Sequence, residues 1–388
     1  MAIMERIHGI NEERLQWCCR EAGISPEDLA GALKIAPATL ARALEGEDGL
    51  TVNQLKKIAD YFNRGMLFFM EPGPVDDTTV HSAQFRTLEN QKPDLSIRLR
   101  ALVERVEFQR QVYISLLEDL GEETERPWYP AHLDLPPGNL KQAAATIRKW
   151  LQLPEQLDFD TLRQAIEKKD LLIFVSNGYA GAWQIPKESL VRGFSLFFDT
   201  FPVIFVRKQR SMGAQAFTLI HELAHLLLHR NSFIDDARDL DSQEGREQHA
   251  NRFAGNLLVP DAYLEKVGLA GFPEADVEAY DNYLRDYARR WCVSPEVILR
   301  RLVDERLVPR ERYQAYRAWK LSLPSPEGPA RASRSRYSEP VRIFGKPYVG
   351  AVLDALNTNQ ISLARASRYL DNLKIGYIRR LEERHAHL

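Results

Sequence analysis

The run Phe217-Thr-Leu-Ile-His221-Glu222-Leu-Ala-His225-Leu-Leu-Leu-His229 constrains this chain most, because it sets ionisable side chains inside an apolar stretch of helical spacing. His221 and His225 stand four residues apart, so on a helix of 3.6 residues per turn they share a face and can grip one ion. Glu222 points about 100° round from them. From there its carboxylate can reach a water held at the ion without being a ligand, take the water's proton and deliver it to a leaving amine. The competing explanation is an amphipathic core helix whose histidines are simply hydrogen-bonded. The H-E-x-x-H order within an apolar helix favours a hydrolytic metal centre.

A zinc ion in a hydrolytic site commonly has three protein ligands and one open position, so a third ligand must come from elsewhere. His229 is eight residues from His221, about 12 Å along the helix axis, too far to share an ion with His225 between them. It is expected near the helix C-terminus, facing the dipole or solvent. Downstream, apolar residues recur at helical spacing through Glu244-Gly-Arg-Glu247-Gln-His249-Ala-Asn-Arg-Phe253 to Leu258, until Pro260 ends the run. A second helix there could lie beside the first and supply a carboxylate. Glu247 is preferred to Glu244 and His249, against the plainer reading of a solvated helix charge.

Taken together, His-Glu-Leu-Ala-His and the later Glu247-x-x-Ala250-Asn251-x-Phe253-Ala254-x-x-Leu257-Leu258-x-Pro260 resemble the ImmA/IrrE metallopeptidases. That resemblance implies Zn2+ held by His221, His225 and Glu247 in a gluzincin-like set, with Glu222 catalytic. The approach Gly193-Phe-Ser-Leu-Phe-Phe-Asp-Thr-Phe-Pro-Val-Ile-Phe-Val is similar to the paired strands that precede the pentad in the family. The likeness to the catalytic core covers about residues 140 to 265, and a looser likeness extends to the long variety with an N-terminal Xre-like helix-turn-helix. Relatives of this kind are known for inactivating transcriptional repressors. The expected substrate is therefore one specific protein, in stress response, mobile-element or toxin-antitoxin control.

The chain of 388 residues is long enough for two or three domains. No apolar run approaches the length of a membrane span, and the first residues lack a signal peptide's apolar core, so no membrane partner is expected and the cytoplasm is the expected location. Cys18, Cys19 and Cys292 are odd in number and have no C-x-x-C spacing, which reads as reduced structural thiols. Net charge is only -2, yet residues 300 to 388 hold 18 Lys and Arg against 9 Asp and Glu. A basic tail of this kind suits nucleic acid, an acidic partner, or the acidic remainder of the same chain.

Residues 1–75 read as a helix-turn-helix domain. Ser25-Pro-Glu-Asp28 is a capping-box-like start, Lys34 to Pro37 breaks the run, and Leu29, Ala30, Leu33, Ile35 and Leu40 form its core. Thr39 and Arg42 lie on the would-be recognition face and are the candidate DNA contacts. The segment holds 8 Lys and Arg against 11 Asp and Glu, which argues against strong phosphate binding and leaves a protein-binding or homodimerising module as the alternative. Residues 76–130 are expected to be a helical connector interrupted by Gly121. Residues 131–320 form the peptidase domain, with helices over 139–151 and 161–169, strands near 171–175, 193–198 and 202–207, and an edge on which an extended peptide could dock. Residues 321–388 are a Pro/Ser/Arg linker followed by a compact helical tail, either an ordinary hairpin or a second helix-turn-helix.

The expected fold is thus α+β: an all-α N-terminal domain, a small sheet beside the metal-bearing helices, and a helical C-terminal region. The expected function is a zinc endopeptidase acting on a protein substrate. Its rivals are a DNA-binding regulator whose peptidase-like domain only senses or binds, and an antitoxin whose acidic face meets a basic toxin. Tyr179, Arg192, His229 and His249 are the candidates for stabilising an oxyanion.

Overall fold

A computed structural model describes residues 6–47, 49–62, 64–75, 82–92, 95–130, 133, 135–136, 138–177, 181–239, 245–273, 276–323 and 336–385. The chain divides into two compact units, residues 1–105 and 106–388.

The first unit is helical: α1 (Glu12–Glu21), α2 (Pro26–Leu33), α3 (Pro37–Leu44), α4 (Val52–Phe62) and α5 (Ala83–Gln91), with the start of α6 (Ile97–Asp119). Short polar side chains begin α1, α2 and α5 by accepting otherwise orphaned backbone N–H groups. Asn11 Oδ1 accepts from Arg14 N at 3.2 Å, and Ser25 Oγ accepts from Asp28 N at 3.1 Å. Lys34 takes a left-handed conformation (φ 54°) that ends α2 and turns the chain into α3. Leu15, Leu29, Ala30, Ile35, Leu40, Leu55 and Ile58 are buried together, so the apolar positions expected of a helix-turn-helix do form its core, with Leu33 packed at its margin.

In the second unit, α7 (Leu140–Trp150) and α8 (Phe159–Glu167) precede a four-stranded sheet of β1 (Leu172–Val175), β2 (Val191–Leu196), β3 (Val203–Val206) and β4 (Phe233–Asp236). Strand order is β1-β3-β2-β4, with β1 parallel to β3 and the other pairs antiparallel. Strands β1 and β3 are buried along their whole length, which accounts for their unbroken apolar sequences, Leu-Ile-Phe-Val and Val-Ile-Phe-Val. The fourth strand follows the pentad helix and was not expected from the sequence. Its run Phe-Ile-Asp-Asp is too short and too acidic to show a strand period.

The pentad lies at the end of α9 (Met212–Ala224), which Ser211 caps and which continues into a wider π-type turn over His225–His229. This helix packs on β2 and β3 and beside α10 (Gly245–Leu258), the second predicted helix, which ends just before Pro260. On its far side α10 packs against α7, where Arg148 donates to the terminal carbonyl of Leu257 at 2.8 Å. Then come α11 (Arg285–Trp291), α12 (Pro295–Asp304, capped by Ser294) and α13 (Arg310–Ser322).

Residues 324–335, most of the expected linker, lie outside the described residues, as do Tyr179 and Glu244. The tail beyond them comprises α14 (Glu339–Asn357), α15 (Leu363–Tyr369) and α16 (Ile375–His385). Helix α14 kinks at Gly345 (φ 84°), and the kink seats Phe344 and Tyr348 on Phe174 of β1 at ring distances of 5.9 and 6.0 Å. Arg163 of α8 secures it. That buried guanidinium pairs with Glu167 at 2.7 Å and donates to the carbonyls of Ile173 and, at 2.7 Å, Arg342. All three cysteines are buried and unpaired, and burial pushes their thiols up to about 12 for Cys18 and about 11 for Cys19 and Cys292. No helix of the described residues is long and apolar enough to cross a membrane.

Candidate metal centre

His221 and His225 share one face of α9, as the four-residue spacing requires, and their Nε2 atoms lie 3.0 Å apart. Glu247, in the first turn of α10, brings Oε2 to 3.2 Å from His221 Nε2 and 3.4 Å from His225 Nε2. A fourth group converges on the same point from β4. Asp235 Oδ2 lies 3.3 Å from His221 Nε2 and 3.2 Å from His225 Nε2. One donor atom from each of the four residues falls within 4.8 Å of every other.

The other ring nitrogens are already committed. His221 Nδ1 meets Asn251 Oδ1 at 3.0 Å, and the Asn251 amide donates onward to the carbonyl of Asp239 at 3.1 Å. Since the Asn251 amide group is a donor there, its oxygen is left to accept, which puts the His221 proton on Nδ1 and leaves Nε2 as a lone-pair donor. His225 Nδ1 meets His229 Nδ1 at 2.9 Å, and Phe233 stacks on the His225 ring at 4.0 Å between centroids. His229 therefore stands at the end of the helical turn, as expected, but its ring faces His225, and it lies outside the metal-capable group.

Two lone-pair nitrogens and two carboxylates gathered in a buried place call for a positive charge. The titration directions express that demand. Burial opposes charge on His221, yet hydrogen bonding and attraction from Asp235, then Glu247, raise it to about 9. Burial also works against the Asp235 carboxylate, and the two histidines nevertheless hold it far below the usual range; Glu247 is lowered by the same two partners. His229 moves the other way, down to about 4, through burial and then the neighbouring His225. The donor set fits a divalent cation, and His nitrogen with carboxylate oxygen suits zinc among others.

Glu222 is fully buried, and both of its carboxylate oxygens are without a hydrogen-bond partner. Burial and then the charge of Asp235 raise its proton affinity well above an ordinary carboxylate's. It sits where β2 carries no side chain. A Cβ on Gly193 would stand 2.7 Å from Glu222 Oε1 and 3.0 Å from both Thr218 Cγ2 and the carbonyl of Phe205. In strand β2, Gly193 pairs with Asp235 and Ser195 with Phe233, so the residues facing the centre alternate along both strands.

The structure thus brings His221, Glu222, His225 and Glu247 together. His249 is exposed, its ring 6.5 Å from that of His229 and outside the metal-capable group. Sequence reasoning missed Asp235 altogether and gave Asn251 no role, although Asn251 belongs to the very motif that singled out Glu247. In the other unit Thr39 is half-buried and Arg42 is exposed, with Arg42 Nε paired to Glu47 Oε2 at 2.8 Å.

A search of curated proteins returns no match to the chain. Family models do match: residues 181–303 fit the IrrE N-terminal-like domain of the M78 peptidases, and residues 15–69 fit a helix-turn-helix. The chain accordingly carries an IrrE/ImmA-like peptidase domain behind an Xre-like helix-turn-helix, the architecture its motifs resemble.

Proposed function

We propose that the protein is a cytoplasmic zinc endopeptidase, with His221, His225 and Glu247 as metal ligands and Glu222 as general base, that cuts one specific protein. Four parts are assigned: residues 1–75 as the regulatory helix-turn-helix, 76–130 as connector, 131–320 as peptidase domain and 321–388 as basic tail. The observation that carries the reading is Glu222 itself, fully buried beside the donor cluster with both oxygens unpartnered. A structural metal site has no use for such a group. Bound zinc supplies the Lewis acidity that activates water and polarises the scissile carbonyl. Glu222 takes the proton from the attacking water and returns it to the leaving nitrogen, and its raised proton affinity suits a group that must hold that proton between the two events. Strand β4, at one end of the sheet order and beside the donor cluster, offers a backbone ladder along which an extended peptide can lie.

The resemblance to the ImmA/IrrE peptidases supports a transcriptional repressor as the substrate, in stress, mobile-element or toxin-antitoxin control, and the helix-turn-helix supports DNA as a further partner of the chain. Glu222→Gln keeps the ligand set and should reduce cleavage of a co-encoded repressor by about 10²–10⁴-fold while zinc binding is retained. Unchanged cleavage by that variant would sink the mechanism. A second reading, a DNA-binding regulator whose peptidase-like domain senses or binds, draws on the fourth donor, because sites with four protein ligands are commonly structural.

A further inference from the structure

We propose that Asp235 is a fourth protein ligand, so that the divalent-cation site is closed at rest. The inference rests on the metal-centre reading given above and concerns the position that reading leaves open.

Three observations carry it. The first is direction. Groups that merely orient a metal-binding histidine sit on its non-ligating nitrogen, and here Asn251 and His229 occupy both Nδ1 positions. Asp235 instead faces both Nε2 atoms, at 3.3 and 3.2 Å, on the side that the ligand lone pairs address. The second is that Asp235 is 2% exposed and its Oδ2, aimed into the cluster, meets only the two histidine Nε2 atoms, at 3.3 and 3.2 Å. A buried carboxylate oxygen in that state is costly unless a cation meets it. The third is placement by the strand. Residues two apart on β4 share a face, and Phe233 already lies on the His225 ring at 4.0 Å, so strand geometry delivers Asp235 to the centre.

Charge supports the same assignment. Two neutral imidazoles with Glu247 alone leave a divalent ion with net charge +1 in a buried place. Asp235 brings the sum to zero, which such a place favours. A fourth protein donor would also lower the Lewis acidity of the bound ion.

The test uses full-length protein, with zinc and cobalt(II) as the probes. Asp235→Asn removes the charge and should weaken zinc in competitive titration by about 10-fold or more, comparable to Glu247→Gln. Its cobalt-loaded form should show an altered visible spectrum. Wild-type affinity and an unaltered cobalt spectrum in Asp235→Asn, with zinc binding impaired in Glu247→Gln, would place Asp235 off the metal and overturn the proposal alone. Should Asp235→Asn fail to fold, the cobalt-loaded wild-type protein decides. Its spectrum should be indifferent to added azide, whereas a shift reveals an open position and refutes a closed site. Failure of the wild-type protein to bind zinc or cobalt at all would remove the metal-centre reading together with the proposal.

Discussion

At the scale of single residues, the centre depends on one side chain outside the donor set and on one side chain that is missing. Asn251 fixes the His221 tautomer through a chain that ends on the backbone of Asp239. Asn251→Ala should weaken zinc about 10–100-fold, the usual cost of losing such a partner, while the metal-free melting temperature changes little; zinc affinity equal to wild type would show that His221 needs no such support. Gly193 matters for what it lacks. With 2.7 Å between a would-be Cβ and Glu222 Oε1, and backbone at 3.0 Å on the other side, Gly193→Ala must displace Glu222 or part the strands. The expected result is a large loss of cleavage with zinc bound nearly as before, separating the position of the base from the ligand set; full cleavage in the alanine variant would mean that the helix gives way freely. The thiols offer a simpler check. With their proton affinities raised by burial, Cys18, Cys19 and Cys292 should resist iodoacetamide at neutral pH in the native protein, and all three should react once it is unfolded.

Among the secondary elements, legibility followed periodicity. Helices α9 and α10 are marked by apolar spacing, which also assigns their charged residues to faces. Strand β4 is not, since four residues ending in two aspartates give no two-residue period that a loop would not also give. Asp235 was therefore out of reach, as was the pairing of Gly193 with it, because strand partners separated by some forty residues leave no local trace. Buried arginines were hidden for a related reason. Nothing local in the sequence marks Arg163 and Arg301 as buried, yet each is, and each gives part of its guanidinium to a backbone carbonyl: Arg342 for Arg163 and Val259 for Arg301. In Arg163→Ala, Glu167 becomes a buried carboxylate without its partner, and the kinked end of α14 loses its donor. Breaking a buried pair from one side costs about 3–5 kcal/mol, which calorimetry or denaturant unfolding should detect. Arg163→Met with Glu167→Gln should recover part of that loss. If the single variant is as stable as wild type, α14 is held by its aromatic contacts alone.

For the whole molecule, charge frames the choice of the surface on which DNA would dock. The helix-turn-helix unit sets Arg42 in an ion pair with Glu47 beside the exposed Glu45, so a phosphate approaching the recognition helix must compete with carboxylates. In the tail, Arg365, Arg368, Arg379 and Arg380 are all exposed. Deleting residues 321–388 would be a poor test of that tail, because Phe344 and Tyr348 belong to the cover of β1, and their removal would open the core of the peptidase unit. Neutralising the four arginines as glutamines leaves that packing intact. Each phosphate contact contributes roughly 0.9 to the slope of log affinity against log salt, so the fourfold variant should flatten the slope by about one for every arginine that touches DNA. Arg42→Ala should change it by less, since that arginine is already paired. Binding curves on one duplex across a salt series decide the matter. Abolished binding in Arg42→Ala, with an unaltered slope in the fourfold variant, would make α3 the reading helix in spite of its acidic surroundings and leave the basic tail to some other partner.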